Sequence, residues 1–211
     1  MEYINEEYKS DLLVRMAHHS TAIEGNTLTL AETVLILIHN YIPRNMNERE
    51  YYEVKNYKKA FDFLLNSEKV LTVDTIKKYH KHIMENLRDD NGEFKKIQNV
   101  ILVSNFETTK PYLVQTELLR WCEDLEYRLK HAQSKDEKLE AILEHHIKFE
   151  KIHPFGDGNG RTERFLIIHS CLKENLIPVI IPKEEKGKYI TLLSTEDIQH
   201  FTKFAIELQE N

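Results

Sequence analysis

The chain has 211 residues, 41% of them hydrophobic and 30% charged, which fits one folded domain with room for a core and excludes a disordered segment. A formal net charge of −6 removes any global basic field, so no nucleic-acid partner is expected. The longest apolar stretch, residues 34–38, is far too short for a bilayer, residues 1–10 lack a signal core, and Cys122 and Cys171 show no paired spacing; a cytoplasmic protein with no membrane role is expected.

Helical periodicity dominates the chain. Leu12, Leu13, Met16, Ala17 and Ile23 share one face of a helix expected over about residues 10–24, with Gly25 as its stop. Thr29 followed by Glu32 is a capping-box signature for a second helix through about residue 41, with Pro43 beyond it. Amphipathic segments over 48–65 and 73–87 predict two more helices. Residues 88–92 include a D-D-N-G turn. The β-branched run Asn99, Val100, Ile101, Leu102 and Val103 then reads as a β-hairpin or extended flap, the one strand-like part of the sequence. Helices are predicted again over about 114–131, 135–152 and 159–174, with a last one after Ser194. The expected fold class is all-α, a single helical domain (29–211) with a β-hairpin flap and an N-terminal helical appendage (1–28).

Three of the chain's six glycines alternate within H-P-F-G-D-G-N-G-R-T-E-R, residues 153–164. Gly156, Gly158 and Gly160 let a loop turn its N–H groups toward one point at the N-terminus of the following helix, where an anion is favoured and where Asn159 could act as cap. Arg161 and Arg164, i and i+3 in a first turn that ordinarily prefers acids, are unexplained by packing and suit a polyphosphate. Asp157 is a hard oxygen donor suited to Mg²⁺ on those phosphates. His153 is placed to take a proton from a hydroxyl near neutral pH. Walker A, dinucleotide-loop and EF-hand patterns fail here, because Arg161 and Thr162 stand where those motifs need other residues.

These residues resemble the Fic-domain signature H-P-F-x-D/E-G-N-G-R-x-x-R at every defined position. The resemblance covers roughly residues 29–208 and implies an all-α Fic fold that transfers AMP from ATP to a Ser, Thr or Tyr hydroxyl of a target protein. Carried over, His153 resembles the base and Asp157 the Mg²⁺ ligand. Gly158, Asn159 and Gly160 resemble the anion nest, Arg161 a phosphate contact and Arg164 the γ-phosphate clamp. Gly160 stands where a related kinase-type toxin has Lys, and Glu163 stands where many relatives have Gly. Tyr189 resembles an adenine-stacking aromatic, with plain packing as the alternative, and the run 100–103 resembles the strand that pairs with the target backbone. His145 and His146 read better as packed helix histidines than as ligands.

Ser20 and Glu24, four apart in S-T-A-I-E-G, are by themselves an ordinary helix end. Beside the loop they resemble the family's inhibitory helix, whose glutamate pairs with the second motif arginine; here that pair would be Glu24 and Arg164. The resulting expectation is an ATP- and Mg²⁺-dependent protein adenylyltransferase, autoinhibited, with self-modification and an oligomer both open. Alternatives are another phosphodiester donor, removal of AMP, or a nucleotide-binding regulator with little catalysis.

Overall fold

The computed structural model describes residues 5–99 and 107–210. The strand-like run 100–103 lies outside the described residues. Among these there are nine α-helices: α1 Glu6–Ile23, α2 Leu30–Leu37, α3 Glu48–Asn66, α4 Val73–Ile83, α5 Val114–His131, α6 Lys135–Ile152, α7 Asn159–Lys173, α8 Lys186–Thr195 and α9 Ile198–Glu210. No strand occurs among the described residues.

Local chemistry starts most of these helices. Asn5 caps α1 through Tyr8 N–H, Ser134 caps α6 through Glu137 N–H, and Thr72 caps α4 through Thr75 N–H. The capping box of Thr29 and Glu32 is complete, each side chain accepting from the other residue's backbone N–H. Several boundaries depart from the sequence reading. α1 begins earlier than residue 10, because Asn5 supplies its cap and Glu6 and Glu7 suit the dipole. α2 stops at Leu37, short of residue 41; Asn40 adopts the left-handed φ of 50° and Tyr41 N–H closes back onto Leu35 O at 2.9 Å. α4 stops at Ile83, short of residue 87, and the Asn56 amide of α3 donates to the Ile83 and Glu85 carbonyls (3.0 and 2.7 Å). α8 was not predicted: it has no side-chain cap, and Gly187 near its start hides it.

α7 is the axis of the molecule. Every residue from Arg161 to Leu172 is buried, and the helix packs on α6, α4 and α1. A helix buried all round should be apolar all round. α7 obeys this from Phe165 to Ile168 but carries Arg161, Glu163 and Arg164 in its first turns, so its buried charge is concentrated at one end. Phe165 sits between the rings of Tyr57 (6.1 Å) and Tyr79 (4.9 Å), joining α7 to α3 and α4. Leu12, Leu13, Met16 and Ala17 place α1 in this same core.

His169 fastens α7 from the other side. Its Nε2–H donates to the Lys69 carbonyl (3.2 Å) and its Nδ1 accepts from the Tyr79 hydroxyl (2.7 Å), an arrangement that only the neutral ring satisfies. Burial holds its pKa down to about 4. Between about pH 6.5 and 4 the unfolded chain binds a proton that the folded His169 refuses, so stability falls as the pH drops through this window. Urea unfolding across that range should show His169→Asn losing about 3 kcal/mol less than the wild type on acidification. Identical pH slopes would mean that His169 charges in place without cost.

Candidate active site

The loop between α6 and α7 is built by side chains that satisfy its backbone. α6 ends at His153, whose N–H still bonds Phe149 O (2.8 Å) while its φ and ψ turn to 45° and 61°. This left-handed conformation is costly for a residue with a Cβ and is held by what surrounds it. Phe155 is fully buried and stacks on His80 at 3.7 Å. His80 in turn donates from Nε2–H to the Asp157 carbonyl (2.9 Å) and accepts from Gly92 N–H (2.8 Å). The Asn99 amide donates to Phe155 O (2.9 Å), Lys95 N–H to Pro154 O (2.9 Å) and the Lys95 ammonium to Ile152 O (3.2 Å). The carbonyls of Ile152, Pro154, Phe155 and Asp157 thus each have a protein donor.

Asn159 corrects an expectation. It does not cap α7; Gly158 occupies that position with φ 74° and offers no side chain. Asn159 instead folds back on the loop, accepting from Phe155 N–H (2.9 Å) and donating to Phe155 O (2.8 Å). The N-terminal N–H groups of α7 are thereby left without a side-chain cap, which suits an anion.

A cavity of about 400 Å³ opens over this helix end. Its lining includes His153, Gly156, Asp157, Gly158, Asn159, Gly160, Arg164 and Tyr189 of the predicted set, together with Glu24 from α1. It also includes Glu150 and Glu163. His153 is partly exposed, and its Nδ1 lies 3.4 Å from Glu150 Oε2. Asp157 turns Oδ1 onto Gly158 N–H (2.6 Å), and Oδ2 has Arg49 at 3.6 Å as its cationic neighbour. Tyr189 is 2% exposed at the cavity wall, which is the packing alternative; its hydroxyl donates to Glu163 Oε1 (3.2 Å) and meets His146 Nε2 at 2.8 Å.

The two arginines have separate fates. Arg161 is 3% exposed and committed to protein carboxylates, Glu53 at 3.2 Å and Asp157 at 3.6 Å, so it braces the loop against α3 in the resting chain. Arg164 makes its hydrogen bonds to the end of α1 and its cap residue, with the ring of Tyr189 on α8 lying 6.0 Å away. Its Nε donates to Ser20 Oγ (2.9 Å), and its Nη2 donates to the Ser20 carbonyl (3.0 Å) and to Glu24 Oε1 (2.5 Å). Ser20 Oγ is oriented by the Tyr57 hydroxyl at 2.6 Å. Burial alone would disfavour the Arg164 charge, but the Glu24 carboxylate outweighs it and raises the pKa.

His145 and His146 are packed, as expected; burial and Arg164 push His146 down to about 3. Sequence reading missed Glu53, Tyr57 and His80, which come from distant helices, and it missed Glu150, whose position three residues before His153 on one helical face was a usable signal.

Two glycines are fixed by space. A Cβ on Gly160 would lie 2.5 Å from Glu24 Oε1 and 3.0 Å from Arg164 Nη1, so the ion pair leaves no room for a side chain. A Cβ on Gly158 would lie 2.4 Å from Met84 Sδ, on a backbone already at φ 74°. Gly158→Ala should cost about 1–2 kcal/mol for the left-handed backbone and about 1–3 kcal/mol for overpacking. In a urea double-mutant cycle, Met84→Ala should recover the second part and not the first. Strict additivity would remove Met84 as the obstacle.

Comparison with known proteins agrees with this site. The Fic/DOC family profile matches residues 70–171, which contain the whole loop. Proteins named Protein adenylyltransferase Fic from Drosophila ananassae and Drosophila erecta are 29% and 30% identical over 96% of this chain, each match covering 41% of the relative. The chain thus spans about two fifths of the length of these curated relatives. Among solved structures, Fic-1 from C. elegans superposes with a TM-score of 0.82 at 26% identity, over 95% of this chain and 61% of its own. A Fic-domain-containing signalling protein from Bacteroides thetaiotaomicron gives 0.86 at 21% identity, over 97% of this chain and 85% of its own, and speaks for the fold alone. The profile match contains the whole of the loop that the geometry singles out, and residues 70–171 of the chain match the Fic/DOC family.

Proposed function

We propose that the protein transfers AMP from ATP to a hydroxyl side chain of a target protein, and that residues 1–28 restrain it. The carrying observation is that one cavity gathers His153, Asp157, Arg164 and the uncapped N-terminus of α7, with the Glu24 carboxylate seated on Arg164. An anion-binding helix end, a buried cation and a partly exposed imidazole are what in-line nucleotidyl transfer requires. The relatives' printed name, Protein adenylyltransferase Fic, points the same way.

In this reading the triphosphate lies over the α7 N-terminus, held by the Gly158–Gly160 backbone, with the γ-phosphate on Arg164. The target hydroxyl gives its proton to His153 while its oxygen attacks the α-phosphorus. The new O–P bond forms as the bond to the β-phosphate oxygen breaks, and pyrophosphate leaves. No covalent enzyme intermediate is needed. Mg²⁺ fits this site through one protein ligand, because Asp157 faces the cavity with Oδ2 uncommitted to any backbone donor. Among the described residues no cluster of three metal-ligating side chains exists, which suits an ion that takes its other ligands from phosphates and water. Bound with ATP, it supplies charge neutralisation on the phosphates.

Glu24 and the γ-phosphate compete for the same guanidinium, so the resting contact is inhibitory. Glu24→Gly should raise both ATP affinity and transfer, self-modification included, read by mass spectrometry after incubation with Mg²⁺-ATP and a lysate. Adding Arg164→Ala should remove that gain. In the Glu24→Gly background, His153→Ala should lower transfer by ~10²–10⁴-fold with ATP binding retained, and Asp157→Ala should raise the Mg²⁺ concentration needed. A mass increment other than AMP would replace the donor assignment. An unchanged rate in Glu24→Gly would reduce α1 to packing.

A further inference from the structure

Behind His153 lie two carboxyl groups that the transfer reaction does not use. Glu150 stands on α6, three residues before the histidine, and Glu163 stands in the first turns of α7. Both line the cavity, and Glu163 is 2% exposed. Glu150 Oε2 faces His153 Nδ1 at 3.4 Å, a long contact, yet neither atom has another partner. Glu163 Oε1 accepts from the Tyr189 hydroxyl, whereas Glu163 Oε2 is buried with no donor. The two carboxyl groups are neighbours, and each keeps one buried oxygen without a donor.

Two carboxylates cannot satisfy such a contact, because each offers only acceptors; one proton between them satisfies both. The surroundings decide where it sits. Arg164 of α7 is the nearby cation, and it is engaged by Glu24 of α1. His146 of α6 and Tyr189 of α8 are both neutral, the first because burial holds it down to about 3, the second because burial raises it. Burial and the Glu150 charge push the Glu163 carboxyl well up, against Arg164. For Glu150 burial also acts upward, but hydrogen bonding from His153 and Glu163 opposes it and the group is held below the usual range. The proton therefore belongs to Glu163 and the charge to Glu150.

The donors then run in one direction. His146 Nε2–H donates to the Tyr189 oxygen (2.8 Å) and Tyr189 O–H to Glu163 Oε1 (3.2 Å), while a proton on Glu163 and the His153 Nδ1–H, 3.4 Å away, would both be directed at Glu150. We propose that Glu150 and Glu163 act together as a positioning element that fixes His153 in its Nδ1–H tautomer and presents Nε2 to the cavity as the free base. The hydroxyl proton would pass to Nε2, and the imidazolium so formed would face the Glu150 carboxylate through Nδ1–H. This deepens the reading of His153 as base, but the tautomer itself is a property of the resting protein and can be observed without turnover.

Infrared spectra of the full chain at pH 7 should contain the carbonyl band of a protonated buried carboxyl that disappears in Glu163→Gln. Nitrogen-15 spectra of labelled histidine, taken where the ring is neutral, should show His153 protonated on Nδ1 in the wild type. Glu163→Gln, whose amide still donates to Glu150, should keep that tautomer, and Glu150→Leu should give a mixture. In the Glu24→Gly background, Glu150→Leu should lower kcat by at least ~10-fold with KM for ATP unchanged. Absence of the protonated-carboxyl band, or an Nδ1–H tautomer that survives Glu150→Leu, overturns the proposal. If the tautomer follows Glu150 while His153→Ala keeps full transfer, the positioning pair stands and the base assignment falls.

Discussion

A guanidinium that is 7% exposed must have an anion, and nearly everything at the α7 N-terminus follows from that requirement at Arg164. The cost of leaving such a charge alone is several kcal/mol, ~3–5 when a buried partner is removed, so the site is never vacant in an energetic sense. Either a carboxylate from the chain fills it or a phosphate does. That is why α1 is part of the core and not an ornament on it: Leu12, Leu13, Met16 and Ala17 bind the helix in place so that Ser20 and Glu24 meet Arg164. It is also why Gly160 has no side chain, since the ion pair occupies the space where one would begin.

The same region keeps its histidines neutral. His80, His146 and His169 are all buried and all pushed well down, to about 4, 3 and 4. His80 and His169 each pair one donating and one accepting ring nitrogen, a role that a charged ring, with two donors, cannot fill, while His146 meets Tyr189 through Nε2. Against this background His153 is different. It is the histidine at the loop with part of its ring exposed to the cavity and a carboxylate beside it. The chain sets His153 apart from these three imidazoles by burial and partner, not by residue type.

Much of this was legible in the sequence because it depends on short-range patterns. Helices α3, α5, α6 and α7 lie within a residue or so of their predicted ends, since periodicity and caps are local properties. The loop 153–164 was legible because alternating glycines and two arginines in a helix's first turn have no packing explanation. The pairing of Glu24 with Arg164 came through a resemblance, and the contact is present. What stayed hidden depends on distance in the chain. The ends of α2 and α4 are set by an αL asparagine and by the Asn56 amide of another helix. α8 lacks any side-chain cap. Arg161 looks in sequence like the twin of Arg164, yet Glu53, 108 residues away, takes it. Asn159 looks like a cap, and only the folded loop reveals that Phe155 claims both ends of its amide.

The acceptors on Arg164, Ser20 Oγ, Ser20 O and Glu24 Oε1, lie in the last turn of α1 and the cap residue that follows it, and only the short segment between Ile23 and Leu30 joins that helix to α2. The blocking group is therefore present at an effective concentration set by geometry, which neither dilution of the protein nor its expression level alters. Under the proposed function, ATP would compete against a fixed internal ligand and gain ground only as its own concentration and affinity rise, tenfold for each ~1.4 kcal/mol. Anything that loosens the last turn of α1, whether a partner that grips its exposed side or a local opening of the helix, changes the free fraction of Arg164 directly. The occupancy of Arg164 thus depends on the stability of a single helical turn.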